Sequence, residues 1–237
     1  TVVITNNDDA YKTAIILKEM GLEVPVILDA RENGGGEVTA KARKMGIRVE
    51  FGKVIAKVTG RKRVSGVHVC LSSGEGETIE KIACDAVAMS GGWTPVVHLW
   101  SHCGGKLEWS DERSMFCPDK SRPPTNQNGE SFVETVGAAS GKIQLSEIVN
   151  EATDVGFKIG IKVGGKEIRS NVPEVLQKSE DPVEPFWFSP RRAKRKLRNK
   201  TFLDFQNDVK ISDVELAARE GFESVEHLKR YTTLGMA

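Results

Sequence analysis

Residues 1–29, TVVITNNDDAYKTAIILKEMGLEVPVILD, contain the pattern that decides the fold. The β-branched run at 1–4 is typical of a buried parallel strand, and the polar turn at 5–9 favours a helix start. Apolar residues at helical spacing predict a helix over 10–20, and a second strand is predicted over 24–28. A strand-helix-strand unit of this length indicates an α/β fold with a right-handed crossover.

The turn after the first strand has the position of a dinucleotide-binding loop. Glycines in such a loop let a pyrophosphate reach the helix N-terminus, but this turn holds Asn6, Asn7, Asp8 and Asp9. Because two carboxylates at a helix start repel a pyrophosphate, the sequence favours a unit of this shape that is kept for packing. In that interpretation Asp8 and Asp9 serve as helix N-caps. A working nucleotide site at the turn is the alternative.

Asp29 closes the second strand, where an acidic residue can accept a ribose hydroxyl if the glycine loop is intact. Arg31 follows two residues later. A surface ion pair between these two side chains is an equal alternative to ribose binding.

The chain up to residue 90 continues with further regular elements. The pattern predicts a short helix over 39–46, a strand over 47–51, a meander of three β-rich runs over 54–59, 64–71 and 77–83, and a buried strand over 85–90. The loop Gly91, Gly92, Trp93, Thr94, Pro95 follows that last strand. Such a loop at the carboxyl edge of a sheet indicates either a ligand site or a tight crossover into another layer.

The second half of the chain is less regular. Residues 101–130 show weak order, 132–139 has strand character, and 145–155 has helical spacing. A proline-rich segment then leads to a small module of two helices. The module is predicted from Ser212 as N-cap of a helix over 214–219, Gly221 as its end, and Ser224 as the cap of the second helix.

Composition limits the function classes. The chain has 237 residues and a net charge of +1, and its apolar content excludes wholesale disorder. No run is long enough for a transmembrane helix, and four scattered cysteines favour a reducing, cytoplasmic setting. Because the chain begins with Thr1 rather than Met and stops at Ala237 without a terminal tail, we expect it to be a piece cut from a longer chain.

Two local clusters admit functional interpretations. His98, His102, Cys103 and Cys117 carry zinc-type ligands or a Cys-His nucleophile pair, but the spacing is poor for zinc and no third orienting group is identifiable. Residues 191–200 hold seven basic side chains and no acid, which could bind nucleic acid. Since no aromatic residues are interleaved and the chain is nearly neutral, a solvated linker or subunit contact is favoured.

Four stretches together resemble one family. They are TNNDDAY at 5–11, AMSGGWTPVVHLWSHCGGKL at 88–107, GAASG at 137–141, and FLDFQNDV with AAREGFESVEHLKRYTTLGMA near the C-terminus. They are similar to the alpha subunit of heterotetrameric sarcosine oxidase. The resemblance covers the whole chain, with weak stretches at 34–46, 108–131 and 160–200.

The resemblance implies a partial Rossmann-like fold of the two-dinucleotide-binding reductase type, followed by a small α-helical module. Residues 1–165 would be the reductase-like region, with an inserted Rossmann unit over about 1–90 and a return to the first nucleotide domain over about 91–165. Residues 166–200 would be a Pro-rich basic linker. Residues 201–237 would resemble a two-iron ferredoxin-like helix-turn-helix.

The resemblance also implies where cofactors lie. In related reductases the loops similar to Gly91, Gly92, Trp93, Thr94 and Pro95 and to Gly137 and Ala138 border the cofactor. Ala138 stands where those reductases usually have an Asp that holds a flavin, which fits a subunit that holds NAD. The glycine-rich turn for the pyrophosphate would lie upstream of Thr1. In the last module Asp204 and Gln206 replace a CxC pair, so no iron-sulfur cluster should form and no metal site is expected.

The family's reaction oxidises sarcosine with O2, giving H2O2 and, with tetrahydrofolate, 5,10-methylenetetrahydrofolate. FAD and the substrate would lie in the beta subunit, FMN near the alpha-beta boundary and folate in a further C-terminal domain. The implied partners are the beta, gamma and delta subunits, with no nucleic acid and no membrane. No residue of this chain is then catalytic. A stand-alone NAD(P)H-dependent flavoprotein reductase is the alternative, although the sequence has no CxxC pair.

Overall fold

The computed structural model describes residues 1–166, 171–176 and 183–236. Residues 167–170 and 177–182 of the predicted linker, and Ala237, lie outside the described residues. The chain divides into two compact units. The first comprises Thr1–Gly91 with Glu184–Ala237, and the second comprises Gly92–Val183.

A four-stranded parallel sheet forms the centre of the first unit. Its part of the chain runs through β1 (Val2–Thr5), α1 (Asp9–Glu19), β2 (Val26–Asp29), α2 (Glu37–Lys44), β3 (Arg48–Phe51), β4 (Lys53–Gly60), β5 (Val64–Leu71), β6 (Glu80–Ala83) and β7 (Val87–Ser90). The parallel sheet has the order β3-β2-β1-β7, while β4, β5 and β6 form a separate antiparallel meander. The predicted α/β fold and meander are confirmed. The strand order reverses between β1 and β7, which is where α/β sheets open a ligand crevice.

Apolar side chains cover both faces of the parallel sheet. On one face Val3 and Ile27 pack with Tyr11 and Ile15 of α1. On the other face residues of β1 and β2, among them Leu28, pack with the meander. Because both faces are buried, the strands are continuous apolar runs rather than alternating ones, which is why they could be recognised in the sequence.

The second unit has short elements and one long helix. They are α3 (His98–His102), β8 (Leu107–Ser110), β9 (Met115–Pro118), a 3₁₀ helix (Gly137–Ser140) and α4 (Leu145–Lys162). Strands β8 and β9 pair antiparallel, so the stretch with weak predicted order contains a hairpin. The strand predicted over 132–139 is wrong. Gly137 has a φ of 62°, a left-handed conformation that ends extended backbone, and the 3₁₀ helix begins there.

The chain returns to the first unit for its last elements. They are α5 (Arg195–Arg198), β10 (Phe202–Asp204), β11 (Val209–Lys210), α6 (Ile211–Arg219) and α7 (Val225–Thr232). The two predicted helices are confirmed, with Ser224 at the N-cap position of α7. Ser212 is not a cap, because α6 begins one residue earlier and Asp213 accepts the backbone N–H of Lys210 at 2.8 Å.

None of the helices in the described part of the chain combines the length and the apolar character that crossing a bilayer requires.

Substitution of the sheet core should destabilise the first unit far more than substitution of a helix surface. Ile27 is fully buried, whereas the Ile16 side chain in α1 is 53% exposed. We expect Ile27→Ala to lower the free energy of unfolding by about 2–5 kcal/mol and Ile16→Ala to change it by less than ~0.5 kcal/mol. Urea denaturation followed by circular dichroism measures both values. Similar losses for the two variants would contradict the core described above.

Candidate functional site

Two asparagines join the carboxyl ends of β1 and β7, where the strand order reverses. The Asn6 amide donates from Nδ2 to the Gly91 carbonyl oxygen at 3.2 Å. The Asn7 amide donates from Nδ2 to the Ser90 hydroxyl oxygen at 3.0 Å. Both asparagine side chains are buried. The crevice that this topology offers to a ligand is therefore bridged by side chains of the chain itself.

Asn7 also satisfies the first backbone donors of α1. Its Oδ1 accepts the N–H groups of Asp9 at 3.1 Å and of Ala10 at 3.4 Å. The prediction that aspartates cap this helix is wrong, since Asp8 lies at the N-cap position and makes no side-chain cap bond. In a dinucleotide site a phosphate would take the donors at this helix end. Here a neutral side-chain amide takes them.

Asp29 is the centre of a buried polar network. Its Oδ2 accepts the Tyr11 hydroxyl at 2.8 Å and Arg31 Nη2 at 2.7 Å, and its Oδ1 accepts Arg31 Nε and the Arg31 backbone N–H at 3.0 Å. The same Nη2 donates to Asp8 Oδ1 at 2.7 Å. Burial, together with the neighbouring Asp29 carboxylate, raises the pKa of Tyr11 well above its usual value.

This network bears on both interpretations of Asp29, the surface ion pair with Arg31 and the binding of a ribose hydroxyl. The Asp29–Arg31 ion pair is buried rather than a surface pair, because Asp29 is 0% and Arg31 3% exposed. Both Asp29 oxygens already accept hydrogen bonds, so a ribose hydroxyl would have to displace a buried guanidinium. The geometry favours packing over dinucleotide binding at this turn.

The loop predicted to border a cofactor is divided between the two units. Gly91 follows β7 in the first unit, and Gly92, Trp93, Thr94 and Pro95 begin the second. Gly92 has a φ of 100°, which favours glycine. Gly91, Trp93 and Thr94 are exposed, and Pro95 is buried. The role of these residues at a cofactor stays a prediction.

The Gly137 loop in the second unit is held by a carboxylate that the sequence reading did not identify. Glu151 of α4 accepts the Gly137 N–H at 2.9 Å and the Ser140 hydroxyl at 2.5 Å on one oxygen, and Lys120 Nζ at 2.9 Å on the other. Ala138, next in the loop, is exposed. A single acid inside a helix gives no signal in the sequence, because its partners, which also include the Lys142 ammonium at 3.4 Å, are 9 to 31 residues away.

The electrostatic state of Glu151 follows from those donors. Its burial raises the pKa, but the Ser140 hydroxyl and the Lys120 ammonium outweigh burial and hold the pKa at about 2. Glu151 is therefore ionised at neutral pH and fixes the 3₁₀ helix to α4. The sequence-predicted pair Gly137 and Ala138 thus sits on a rigid support.

The candidate metal ligands do not form a metal site in the described ranges. His98 is the first residue of α3 and His102 is the last. Cys103 follows the helix and is exposed, and Cys117 is buried in β9. In residues 1–166, 171–176 and 183–236 no three His, Cys, Asp or Glu side chains are grouped so that they could hold a metal ion. The Cys-His nucleophile pair stays a hypothesis.

The basic run is packed against the first unit. We call residues 184–197 the strap. Within it the Arg191 guanidinium pairs with Glu184 and stacks over the Phe186 ring, 4.1 Å from its centroid. Lys194 pairs with Glu75 and Glu77 of the meander. Both side chains also remain in contact with solvent, at 43% exposed for Arg191 and 58% for Lys194, so the interpretation of the basic run as a solvated linker or subunit contact stays a prediction.

Asp204 organises the C-terminal module. Its carboxylate accepts the backbone N–H of Gln206 at 2.9 Å, of Asn207 at 3.2 Å and of Gly235 at 2.9 Å. The Gly235 N–H and the Asn207 donors lower the pKa of Asp204 to about 2. The acid at the position of an expected cluster thiolate thus links two loops of the module directly.

Comparison with known proteins identifies relatives along the whole chain. Residues 198–237 match the family model described as the sarcosine oxidase A3 domain. The chain is 34% identical over 238 residues to the sarcosine oxidase subunit alpha of Rhizobium meliloti (strain 1021), covering 99% of this chain and 22% of that protein. It is 33% identical over 242 residues to the subunit alpha of Corynebacterium sp. (strain P-1), covering 100% of this chain and 24% of that protein. The resemblance stated from the sequence is confirmed, and the chain spans less than a quarter of the length of these relatives.

One solved structure shares the fold over the whole chain. The crystal structure of L-proline dehydrogenase from P. horikoshii has a TM-score of 0.60 and 18% sequence identity, covering 100% of this chain and 45% of that chain. At this identity the similarity supports the Rossmann-like fold alone.

Removal of the buried guanidinium should strongly destabilise the first unit. Arg31→Met leaves the Asp8 and Asp29 carboxylates buried without that cation, so we expect a loss of about 3–5 kcal/mol in the free energy of unfolding. Arg48→Met is the matched control, because the 44% exposed Arg48 side chain pairs with Glu80 near the surface. The control should lose less than about 1 kcal/mol. Equal losses in chemical denaturation would rule out the network's role.

Glu151 should make stability depend on pH in acid. Its pKa falls from 4.5 to about 2 on folding, so its contribution is complete above pH 4.5 and is lost as the pH falls towards about 2. The stability advantage of the wild type over Glu151→Gln should therefore narrow across this window. Urea midpoints measured from pH 6 downwards test it, with exposed Glu147→Gln, one turn earlier in α4, as the control. An advantage that stays constant with pH would contradict the assignment.

Proposed function

We propose that this chain is a segment of the alpha subunit of a heterotetrameric sarcosine oxidase and that it serves there as a scaffold. The observation that carries the proposal is the identity of 34% and 33% to two such alpha subunits along essentially the whole chain. The complete enzyme would oxidise sarcosine to glycine with O2, giving H2O2 and, with tetrahydrofolate, 5,10-methylenetetrahydrofolate. None of the residues of this chain is given a catalytic role.

The scaffold role follows from how the polar groups of the first unit are used. The donors at the start of α1 are taken by Asn7, and both oxygens of Asp29 are taken by Tyr11 and Arg31. A group that already has a buried partner gains little from a ligand, because the ligand must first displace that partner. The first unit would therefore support the assembly without holding a nucleotide.

The proposal assigns NAD to the alpha subunit, with part of its wall in this chain. Gly91, Gly92, Trp93, Thr94 and Pro95 would form one side of that wall, and Gly137 and Ala138 the other. The Gly137 loop suits such a role, because the exposed Ala138 carries no carboxylate to repel a phosphate and Glu151 holds the loop through the Gly137 N–H. No residue of this chain would take part in a reaction step of NAD.

The remaining cofactors and partners would lie outside the chain. FAD and the substrate would be held by the beta subunit, FMN near the alpha-beta boundary, and tetrahydrofolate in a further C-terminal domain. The gamma and delta subunits complete the proposed assembly, which we place in the cytoplasm. Asp204 and Gln206 carry no thiolate, so we propose that the helical module holds no iron-sulfur cluster. In this proposal the inserted Rossmann unit ends near residue 90, and the chain returns to the first nucleotide domain beyond it.

Co-expression tests the proposal. The full-length protein that contains these residues is produced together with a flavin-bearing beta-type subunit, and the purified material is assayed for H2O2 with sarcosine. We expect a yellow complex that releases peroxide with sarcosine and none with glycine, which lacks the N-methyl group. If the two chains do not associate and no sarcosine-dependent peroxide forms, the proposal is wrong.

A second assay addresses the stand-alone reductase. The 237 residues are mixed with FAD and NADH, and the absorbance of NADH is followed. We expect no oxidation above the rate of free FAD, because the sequence offers no CxxC pair to exchange electrons with a flavin. Protein-dependent oxidation would favour the reductase instead.

A further inference from the structure

The strap begins on the turn at the carboxyl end of β1. The Asn6 amide donates from Nδ2 to the Glu184 carbonyl oxygen at 2.7 Å, and the Glu184 N–H donates to the Asn6 carbonyl oxygen at 3.3 Å. This pair of bonds fixes the strap to the first residue of the turn that a phosphate-binding loop would occupy. The same amide bonds Gly91 beyond β7, so one side chain ties together β1, β7 and the strap.

The strap continues to the carboxyl end of β2. Phe186 packs on a small buried cluster formed by Ala30, Val54 and Cys70, and Ala30 follows directly after β2. The Arg191 guanidinium lies over the Phe186 ring. The strap thus passes from the end of β1 to the end of β2. A dinucleotide in this fold lies along the same course, with its phosphates at the first strand's turn and a ribose at the second strand's end.

The far end of the strap is bonded to the turn between β5 and β6. Backbone N–H groups of the strap donate to carbonyl oxygens of that turn, from Arg191 to Ser72 at 2.8 Å, from Arg192 to Gly74 at 3.2 Å and from Lys194 to Glu75 at 3.2 Å. Leu197 lies so close to Gly76 that a Cβ there would clash with its side chain. These bonds hold the strap in place along its length.

We infer that the strap is the built-in occupant of the carboxyl edge of the parallel sheet and closes that edge to dinucleotides. It takes the place that a ligand would have there: the Glu184 backbone forms hydrogen bonds at the end of β1, and the Phe186 ring packs against the end of β2. The inference concerns the first unit alone and does not depend on the proposed function. Two residues of the basic run take part: Lys194 fastens the strap to Glu75 and Glu77 of the same unit, and Arg191 pairs with Glu184 and covers Phe186 within the strap itself.

Hydrogen exchange of the native protein tests the inference. Phe186→Ala removes the ring from its cluster, and Arg191→Ala removes the stacking and the ion pair while leaving the core untouched. We expect amide exchange at residues 5–11 and 72–75 to become at least about tenfold faster in both variants. Arg192→Ala is the matched control, since this neighbouring exposed arginine enters the strap's bonding through its backbone. Unchanged exchange at 5–11 in Arg191→Ala would overturn the inference even if Phe186→Ala failed to fold.

ADP-ribose provides the second readout. It contains the adenosine, both phosphates and the ribose that a dinucleotide would place at this edge. We expect saturating ADP-ribose to leave exchange at residues 5–11 and 29–31 of the wild type unchanged, whatever it does elsewhere. Slower exchange at both segments would overturn the inference, because the edge would then be open. Neither result bears on association with a beta-type subunit, so this test and that of the proposed function fail separately.

Discussion

The burial of one carboxylate governs the first unit. Asp29 ends β2 inside the protein with no exposed surface, and a buried charge is tolerated only when it is paired and fully hydrogen-bonded. Arg31 supplies the countercharge and Tyr11 of α1 supplies a further donor. Since Arg31 also meets Asp8 at the start of α1, this requirement fixes the helix against the sheet and sets the course of the chain after β2.

The same need for hydrogen-bond partners explains why side chains of the protein itself bond the polar groups at the carboxyl edge of the sheet. The ends of parallel strands and the start of the following helix leave backbone donors and acceptors that need partners. In nucleotide-binding proteins of this topology a ligand takes many of them. Asn6 and Asn7 take them here, since an amide carries both a donor and an acceptor and can serve a helix end and a neighbouring strand together. A neutral amide does this without adding charge to a site that already holds two aspartates.

The sequence predicted the elements whose signals are local. The strand at 64–71 and the helix that begins after Ser224 were predicted because period and β-branching act over a few positions, although the Ser224 side chain makes no cap bond. The strand expected over 132–139 failed, because apolar residues form a strand only where a partner is available and Gly137 turns the backbone away. The burial of Arg31 and the bonds of Glu151 depend on residues far away in sequence. From the sequence, Arg31 two residues after Asp29 could suggest an ion pair, but the sequence could not show that this pair is buried.

In the C-terminal module, too, a polar side chain provides the hydrogen-bond partners of backbone N–H groups. Asp204 stands where the resemblance expects a cluster-binding thiolate, and its carboxylate instead accepts N–H groups from its own loop and from Gly235. A cluster links separate loops through metal–sulfur bonds, and a carboxylate can link them through several charge-assisted hydrogen bonds. Asp204 and Asn7 thus act alike, because in each case a short polar side chain accepts several backbone N–H groups of the same unit. The carboxyl edge of the parallel sheet and the C-terminal module both belong to the first unit, and both are held by their own side chains.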